Sequence, residues 1–575
     1  MNARQFVAEF GHIANAPGGI AQLRQMIYQL AITGSITPRD EEGSDAQVLL
    51  RDIEATRQRL IHEKSYKRML ELERESIRVP AGIEIPTTWC WTRLLDIGEI
   101  NPRNDAQDDD LAAFLPMSGV SQLHRGAVVT DTTKWSEIKK GYTHFASGDV
   151  VLAKITPCFE NGKAAVIPAA LSETTRNGAG TTELHVFRTI HGGVLPEYVY
   201  LFLRSPLFTV EGEKNMTGTA GQKRLPTDYF ATRACPLPPT EEQSRIVAKV
   251  DELMALCDKL EAQQQERRTL QNALRRSTLQ AVVAATSPHE LHTTWTRLAE
   301  NFGRLFQAPE DVAELEQSVK QLVLRGLLSV HEPGEQVPAD LSELSSTSVA
   351  AVNEVEMDWH IPGHWIWARS EWLGEARLGK MLDAAKNRGE FRPYLRNVNV
   401  RWRRFDLADV LKMRVEDHEL KRISVQRGDL VICEGGEPGR AAIWDLDAEY
   451  IIQKALHRFR CNEHVLPEYM LLCLEHDFFS GRLSRYYTGA TIKHLTGKAL
   501  AEYPIPLPPV EEQKRILMVV SRLTESIAKL RKRLKVSNQC ATALAIAAVS
   551  SFTGITTAQE EDEKMKAPQR TGGTG

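Results

Sequence analysis

Apolar residues recur along this chain in two periods. Ile246, Val250, Leu253, Cys257 and Leu260 follow one another at alternating steps of four and three, and Ile516, Val520, Leu523, Ile527 and Leu530 do the same. That spacing is a heptad seam and predicts two long helices. Helical composition continues to about Ala284 and Ala548, which at about 1.5 Å per residue makes rods on the order of 60 Å. Two rods of matched pattern are expected to pair as an antiparallel or pseudo-symmetric coiled coil; the alternative is that each seam packs onto its own neighbouring module. Elsewhere the apolar runs are short and broken by Gly, Pro, Asn and Asp, a pattern that predicts strands.

The rods occupy the same place in an internal repeat. Glu9 to Ile36 aligns without gaps on Asn301 to Leu328, each reading as a helix stopped by a glycine, Gly34 or Gly326. IPTTWCWTRL (Ile85 to Leu94) matches IPGHWIWARS (Ile361 to Ser370) and opens a strand-rich module in both copies. Within the modules, GDVVLAKITPCFENGKAAVI (Gly148 to Ile167) resembles GDLVICEGGEPGRAAIW (Gly428 to Trp444), and LPEYVYLFLRSPLF (Leu195 to Phe208) resembles LPEYMLLCLEHDFF (Leu466 to Phe479). The first pair predicts strand, turn and strand, the second a short helix. TGTAGQKRL (Thr217 to Leu225) then corresponds to TGATIKHL (Thr488 to Leu495), and PLPPTEEQSRIVAKVDEL (Pro236 to Leu253) to PLPPVEEQKRILMVVSRL (Pro506 to Leu523). Proline suits the start of a helix, Thr240 with Gln243 reads as a capping box, and Glu241 and Glu242 read as charges favouring the positive helix end. Val510 stands where the first copy has Thr240, so the second cap is weaker.

These matches divide the chain into a helical region over 1–84, a first module over 85–239, a long helix over 240–285, a helical repeat element and linker over 286–360, a second module over 361–509, a second long helix over 510–552, and a tail over 553–575. The tail is too polar to pack and is expected to be disordered. The fold class expected is α+β: two α/β modules joined by two long helices forming a coiled coil, with an internal pseudo-two-fold repeat.

Composition narrows the function. A hydrophobic content of 42% and a charged content of 25% are those of an ordinary globular protein. No run of about 18 apolar residues occurs and the N-terminus does not read as a signal, so a cytoplasmic location away from membranes is expected. The eight cysteines are scattered without metal-knuckle spacing and read as buried thiols. A net charge of −4 lacks the basic balance of a nucleic-acid binder, so any such surface must be local. Catalytic signatures are missing too. There is no glycine-rich cofactor loop, no Asn/Asp-Pro-Pro-aromatic motif for a flipped adenine, no GxxxxGK[ST], no HExxH and no GxSxG. No catalytic residue, metal ligand or cofactor is therefore assigned to the chain.

With the repeat in view, the chain resembles the specificity subunits of type I restriction-modification systems. PLPPTEEQSRI and PLPPVEEQKRI, the GDV and GDL strands, and the stretches TGTAGQKRL and TGATIKHL carry the resemblance, each present twice over nearly the whole length. It implies that the modules are target-recognition domains, each reading one half of a bipartite, asymmetric DNA site. It implies that the helices set the spacer and dock two modification (methyltransferase) subunits, joined by restriction/translocase subunits. S-adenosylmethionine, ATP and Mg would then belong to those partners. A stand-alone bipartite DNA-binding protein and a protein-bridging scaffold remain as alternatives.

Base readout needs Arg, Lys, Asn or Gln at groove edges, and phosphate contacts need further cations. The second module offers Lys386, Arg388, Arg392, Arg396, Arg401, Arg403 and Arg404 against one acid, Glu390, with Phe391, Tyr394 and Trp402 interleaved. From these, Arg388, Arg392, Arg401 and Arg403 are the chosen candidates, with Lys493 and His494 after Gly489. The first module offers Lys154 and Lys163 around its strand-turn-strand segment, and Gln222, Lys223 and Arg224 beside Gly218 and Gly221. The seam residues Ile246, Val250, Leu253, Leu260, Ile516, Val520, Leu523, Ile527 and Leu530 are the candidates for helix pairing and partner docking.

Overall fold

A computed structural model describes residues 10–38, 44–66, 69–169, 177–219, 221–347, 359–383 and 385–553. From residue 554 onward, the tail expected to be disordered lies outside the described residues. The chain forms two compact units, Met1–Arg267 with Ser537–Gly575, and Arg268–Val536.

The first unit begins with helices α1 (Gly19–Ile32) and α2 (Ala46–His62). Its module contains strands β1 (Cys90–Arg93), β2 (Gly98–Ile100), β3 (Leu111–Leu115), β4 (Asp131–Lys134), β5 (Thr143–Ala146), β6 (Val150–Ala153), β7 (Ala164–Val166), β8 (Asn177–Gly180) and β9 (Leu184–Thr189). Helix α3 (Pro196–Arg204), strand β10 (Ala234–Leu237) and the long helix α4 (Thr240–Ala284) follow. The module's first and last strands pair antiparallel, Cys90 opposite Leu237, so the chain enters and leaves at one place. The other strands make two sheets, ordered β2-β9-β6-β7 and β4-β3-β8-β5.

The second unit repeats this plan. After α5 (Pro288–Glu300) and α6 (Val312–Leu324) come β11 (Ile366–Arg369), β12 (Gly374–Leu378), β13 (Glu390–Leu395), β14 (Val400–Arg401), β15 (Arg404–Phe405), β16 (Leu411–Val415), β17 (Ser424–Val425), β18 (Leu430–Cys433), β19 (Ala441–Ile443), β20 (Tyr450–Ile452), β21 (Leu456–Cys461), α7 (Pro467–Phe479), β22 (Pro504–Leu507) and α8 (Val510–Thr553). Its sheets are β11-β22, β12-β21-β18-β19 and β16-β13-β20-β17, strand for strand those of the first module, plus the hairpin β14-β15.

The apolar runs of the GDV and GDL motifs are strands buried on both faces. In β6, Val150 and Leu152 join the core that contains α3, while Val151 and Ala153 face the second sheet. In β18, Leu430 and Ile432 face α7, and Val431 and Cys433 face the other sheet. Alternating side chains serve two cores, which is why neither run alternates in polarity. The glycine stops have a steric cause. Gly34 and Gly326 hold φ near +69° and +72°, and a Cβ there would lie 2.5 and 2.4 Å from the rings of Pro86 and Pro362. The helix terminator and the proline of the IPxxW motif thus require one another in both copies.

Both helix starts differ from the expected cap. The Thr240 hydroxyl donates to the Gly193 carbonyl, and the Gln243 amide donates to Gly193 and Pro238 while its oxygen accepts from Leu195 N–H. Gln513 does the same with His464, Pro508 and Leu466. These side chains fasten the helix to its module instead of closing the helix on itself. Glu242 is likewise more than a helix-start charge: it is 7% exposed and accepts from the Trp89 indole N–H at 2.8 Å.

The heptad seam divides its work. Ile246, Val250 and Cys257 are buried in the core of the first unit, with Leu253 and Leu260 packed against it, and Ile516 and Val520 enter the core of the second module. These positions follow the alternative reading, because a helix rooted in its module must bury its first turns there. Inter-helix pairing lies further along. In the second unit Ile527, with Leu523 and Leu530, shares a cluster with Leu279, Val282 and Val283 of α4. In the first unit Ala545 and Val549 of α8 join the core that holds the start of α4. Each unit thus takes the beginning of one long helix and the end of the other.

The repeat also buries a histidine beside the loop preceding each helix. His185 is 1% exposed, its Nε2–H donates to the Leu225 carbonyl at 2.9 Å and its ring stacks on Phe230 at 4.8 Å. Burial pushes its pKa down to about 4, against the opposing effect of the bond it donates to the Leu225 carbonyl. His457 makes the same bond to Leu495 at 3.0 Å and is also lowered by burial. Because the unfolded chain binds a proton that the folded one refuses, stability is present above pH about 6.5 and lost as pH falls from there toward 4, by about 3 kcal/mol at His185. Urea midpoints between pH 7.5 and 4.5 are expected to fall for the wild type and to fall less for His185→Phe; equal losses would refute this assignment.

Candidate nucleic-acid interface

Three loops of the first module converge beyond the end of β6. Leu225 N–H donates to the Lys154 carbonyl at 2.8 Å, Thr156 N–H to the Lys223 carbonyl at 3.0 Å, and Lys223 N–H to the Thr156 hydroxyl at 3.1 Å. Thr217 and Arg224 close the second of these loops on itself as a β-bridge. The strand-turn-strand segment and the glycine-basic segment, separate in sequence, therefore form one surface. Lys163 ties in a third element, its ammonium donating to the carbonyl of Met117 at 2.9 Å. Arg224 is held on Glu183, its guanidinium donating at 2.7 to 3.2 Å, and that bond keeps the Glu183 carboxyl below its usual range. Burial lowers the Lys154 ammonium, with Glu183 opposing and Arg224 adding to the effect. Gln222 and Lys223 are exposed.

The second module converges in the same way with different side chains. Leu495 N–H donates to Glu434, Thr488 and His494 form the bridge, and Arg440, in the place of Lys163, donates to the Asn397 carbonyl at 2.8 Å. Asn397 in turn donates to Gly435 at 2.9 Å. The His494 ring lies against Gly435, where a Cβ would be 3.1 Å from Nδ1. Lys493 is exposed.

The arginine-rich stretch is less open than its composition suggests. Arg392 is surrounded by Glu390, Asp417 and Glu449 at 3.1, 3.5 and 2.8 Å, and Arg396 pairs with Asp409 at 2.7 Å. Arg403, at φ 64° in the β14-β15 turn, binds Glu475 of α7 at 2.5 to 3.2 Å. Glu475 is buried and also bound by Lys320 of α6 at 3.1 Å. Trp402 lies against Phe478 and Phe479, so Arg403 and Trp402 anchor the hairpin. Tyr394 is core, and Phe391, 60% exposed, stacks under Arg414. Arg388 is exposed and donates to the Ala385 carbonyl. Arg401 and Arg404 remain exposed on the hairpin, Arg401 only 4.0 Å from Asp406.

Residues 401–537 match the family model of the type I restriction modification DNA specificity domain. Over 548 residues the chain is 30% identical to the type I restriction enzyme EcoAI specificity subunit of Escherichia coli, covering 91% of this chain and 92% of that one. It belongs to the type I restriction enzyme specificity subunits. The Escherichia coli EcoEI specificity subunit is 29% identical over 554 residues, again covering 91% and 92%. Among solved structures, the HsdS subunit from Thermoanaerobacter tengcongensis aligns at 18% identity over 81% of this chain and 99% of its own, with a TM-score of 0.41. A type I R-M system structure aligns at 20% identity over 83% and 99%, with a TM-score of 0.47. This specificity subunit is thus a DNA-recognition component of its enzyme and not the catalytic part.

Several residues that shape its loops were not singled out from the sequence. Asp149 and Asp429, both 2% exposed, accept two bonds each from Arg188 and Arg460 at 2.7 to 2.9 Å. Arg188 and Arg460 belong, with His185 and His457, to LHVFR and LHRFR, a doubled motif present in the sequence and missed there, while the two aspartates are those of the GDV and GDL motifs. Asn397 and Arg440 carry no such signal, because the two copies place different residues there.

Proposed function

We propose that each module reads one half of a bipartite, asymmetric DNA site and that the long helices set the spacer and dock two methyltransferase subunits. The observation that carries this reading is the doubling of one strand topology, in two units, around loop clusters whose side chains differ. A common frame with unlike loops suits two different half-sites. The rooting of each module on its own helix by Gln243 and Gln513 supports a fixed separation. Adenine methylation, ATP-driven translocation and cleavage would be the work of the methyltransferase and restriction subunits, with S-adenosylmethionine, ATP and Mg bound there.

Within each module, the exposed cations Lys223, Arg388, Arg401, Arg404 and Lys493 are the candidates for phosphate or base contact, with Gln222 and His494 beside them. Lys154, Lys163, Arg224, Arg392 and Arg403 would act through the loops they hold. Lys223→Ala and Lys493→Ala are expected to weaken binding to all sequences alike and to reduce the salt slope by about 1 each. A slope unchanged in both variants would remove these lysines from the interface. The reading as a whole is tested by genome-wide adenine methylation in cells with this chain and its methyltransferase partner, against cells with the partner alone. A split motif appearing only with this chain is expected; none, from an assembled complex, would refute the reading.

A further inference from the structure

The first and second copies differ at the carboxylate that roots each long helix. In the first copy Glu242 accepts from the Trp89 indole. In the second, Glu512 is 1% exposed and receives three donors: the Trp365 indole at 3.1 Å and His364 Nε2 at 2.9 Å on Oε2, and the Ser329 hydroxyl at 2.6 Å on Oε1. His331 stands over His364 with ring centroids 3.8 Å apart and planes inclined by 35°. One ligand atom from each of His331, His364 and Glu512 lies within 4.8 Å of the other two. At the position of His364 the first copy has Thr88, within IPTTW against IPGHW.

We propose that His331, His364 and Glu512 bind one divalent transition-metal ion of the zinc class. Two imidazoles and a carboxylate are a borderline donor set of the kind zinc prefers, and they leave a fourth position for water. Ligand atoms about 2.0–2.2 Å from a tetrahedrally bound ion lie about 3.3 to 3.6 Å apart. His364 and Glu512, now 2.9 Å apart, need open by only a few tenths of an ångström as the ion replaces their hydrogen bond, and His331 completes a face by moving inward. His331 is exposed and His364 half-buried, so the ion enters from solvent, while Glu512 is held by Trp365 and Ser329. Those two bonds orient the carboxylate as outer partners do in metal sites. The three ligands come from the loop after α6, the segment entering the second module and the first turn of α8. A bound ion would clamp the module to its helix, a device the first copy lacks.

The test uses the full chain, stripped with a chelator and titrated with zinc alone by calorimetry, beside His331→Ala, His364→Thr and Cys540→Ser. His364→Thr installs the first copy's residue, and Cys540→Ser removes an exposed thiol. One zinc per chain is expected for the wild type and for Cys540→Ser, with affinity at least about tenfold weaker in each histidine variant, and zinc is expected to raise the melting temperature of the wild type. Cobalt substitution keeps the proposal falsifiable if a variant fails to fold: the wild type is expected to show a visible ligand-field band without thiolate charge transfer. No stoichiometric ion, equal affinity in folded histidine variants, or a thiolate band would overturn it.

Discussion

Exchanging residues 90–235 for the matching module of a relative is expected to change one half of the methylated DNA site and leave the other half intact. The exchanged segment begins at β1 and ends within β10, the pair that closes the module at its root. The bonds that fasten the module to α4, from Thr240 and Gln243 to Gly193, Leu195 and Pro238, run mainly to backbone atoms. A foreign module of the same frame therefore keeps them, and the loops around Lys154, Lys163 and Lys223 travel with it as a set. Sequencing of methylated adenines in cells with the chimaera and its partner reads the result. Simultaneous change of both halves would defeat the assignment of one half-site to each module.

Asp477→Ala is expected to destabilise the second unit by about 3–5 kcal/mol, the usual cost of breaking a buried ion pair from one side. The Asp477 carboxylate is 2% exposed and accepts from His476 at 2.8 Å, from Arg482 and from the Tyr503 hydroxyl. Burial works against its charge, but the bonds from His476 and Tyr503 and the Arg482 charge outweigh it and hold the carboxyl below its usual range. Arg482 is itself buried, over the rings of Trp359 and Trp367 at 5.3 Å. Alanine would leave that guanidinium without its carboxylate. Since the folded pKa is depressed, Asp477's contribution is present above the ordinary carboxylate pKa and lost as pH falls through the folded value. Urea unfolding, with hydrogen exchange across residues 467–507, measures the loss. A change below about 1 kcal/mol would fall within ordinary point-mutation effects and refute this account.

Such a pair shows where reading the chain stops. The charged stretch over 386–404 looks open in part because two of its partners are far away in sequence: Glu449 is 57 residues from Arg392, and Glu475 is 72 from Arg403. Composition counts the arginines but not the carboxylates that return to meet them. The same limit turned Glu242 into a helix-start charge, when Trp89, which holds it, lies 153 residues away.

The repeat, the module order, the two long helices and the glycine stops were determined by sequence alone, because periodicity, proline and positive-φ glycine act over a few residues and are written locally. The GDV and GDL runs announced strands for the same reason, and the fold added that these strands are buried on both faces. Only the tertiary structure decided which positions of each long helix root it in its module and which pair with the other helix. It alone decided which cations anchor loops, as Arg403 does, and which stand exposed, as Lys223 does. Those outcomes depend on desolvation and charge pairing between segments that meet only when the chain is folded, and no local pattern records them.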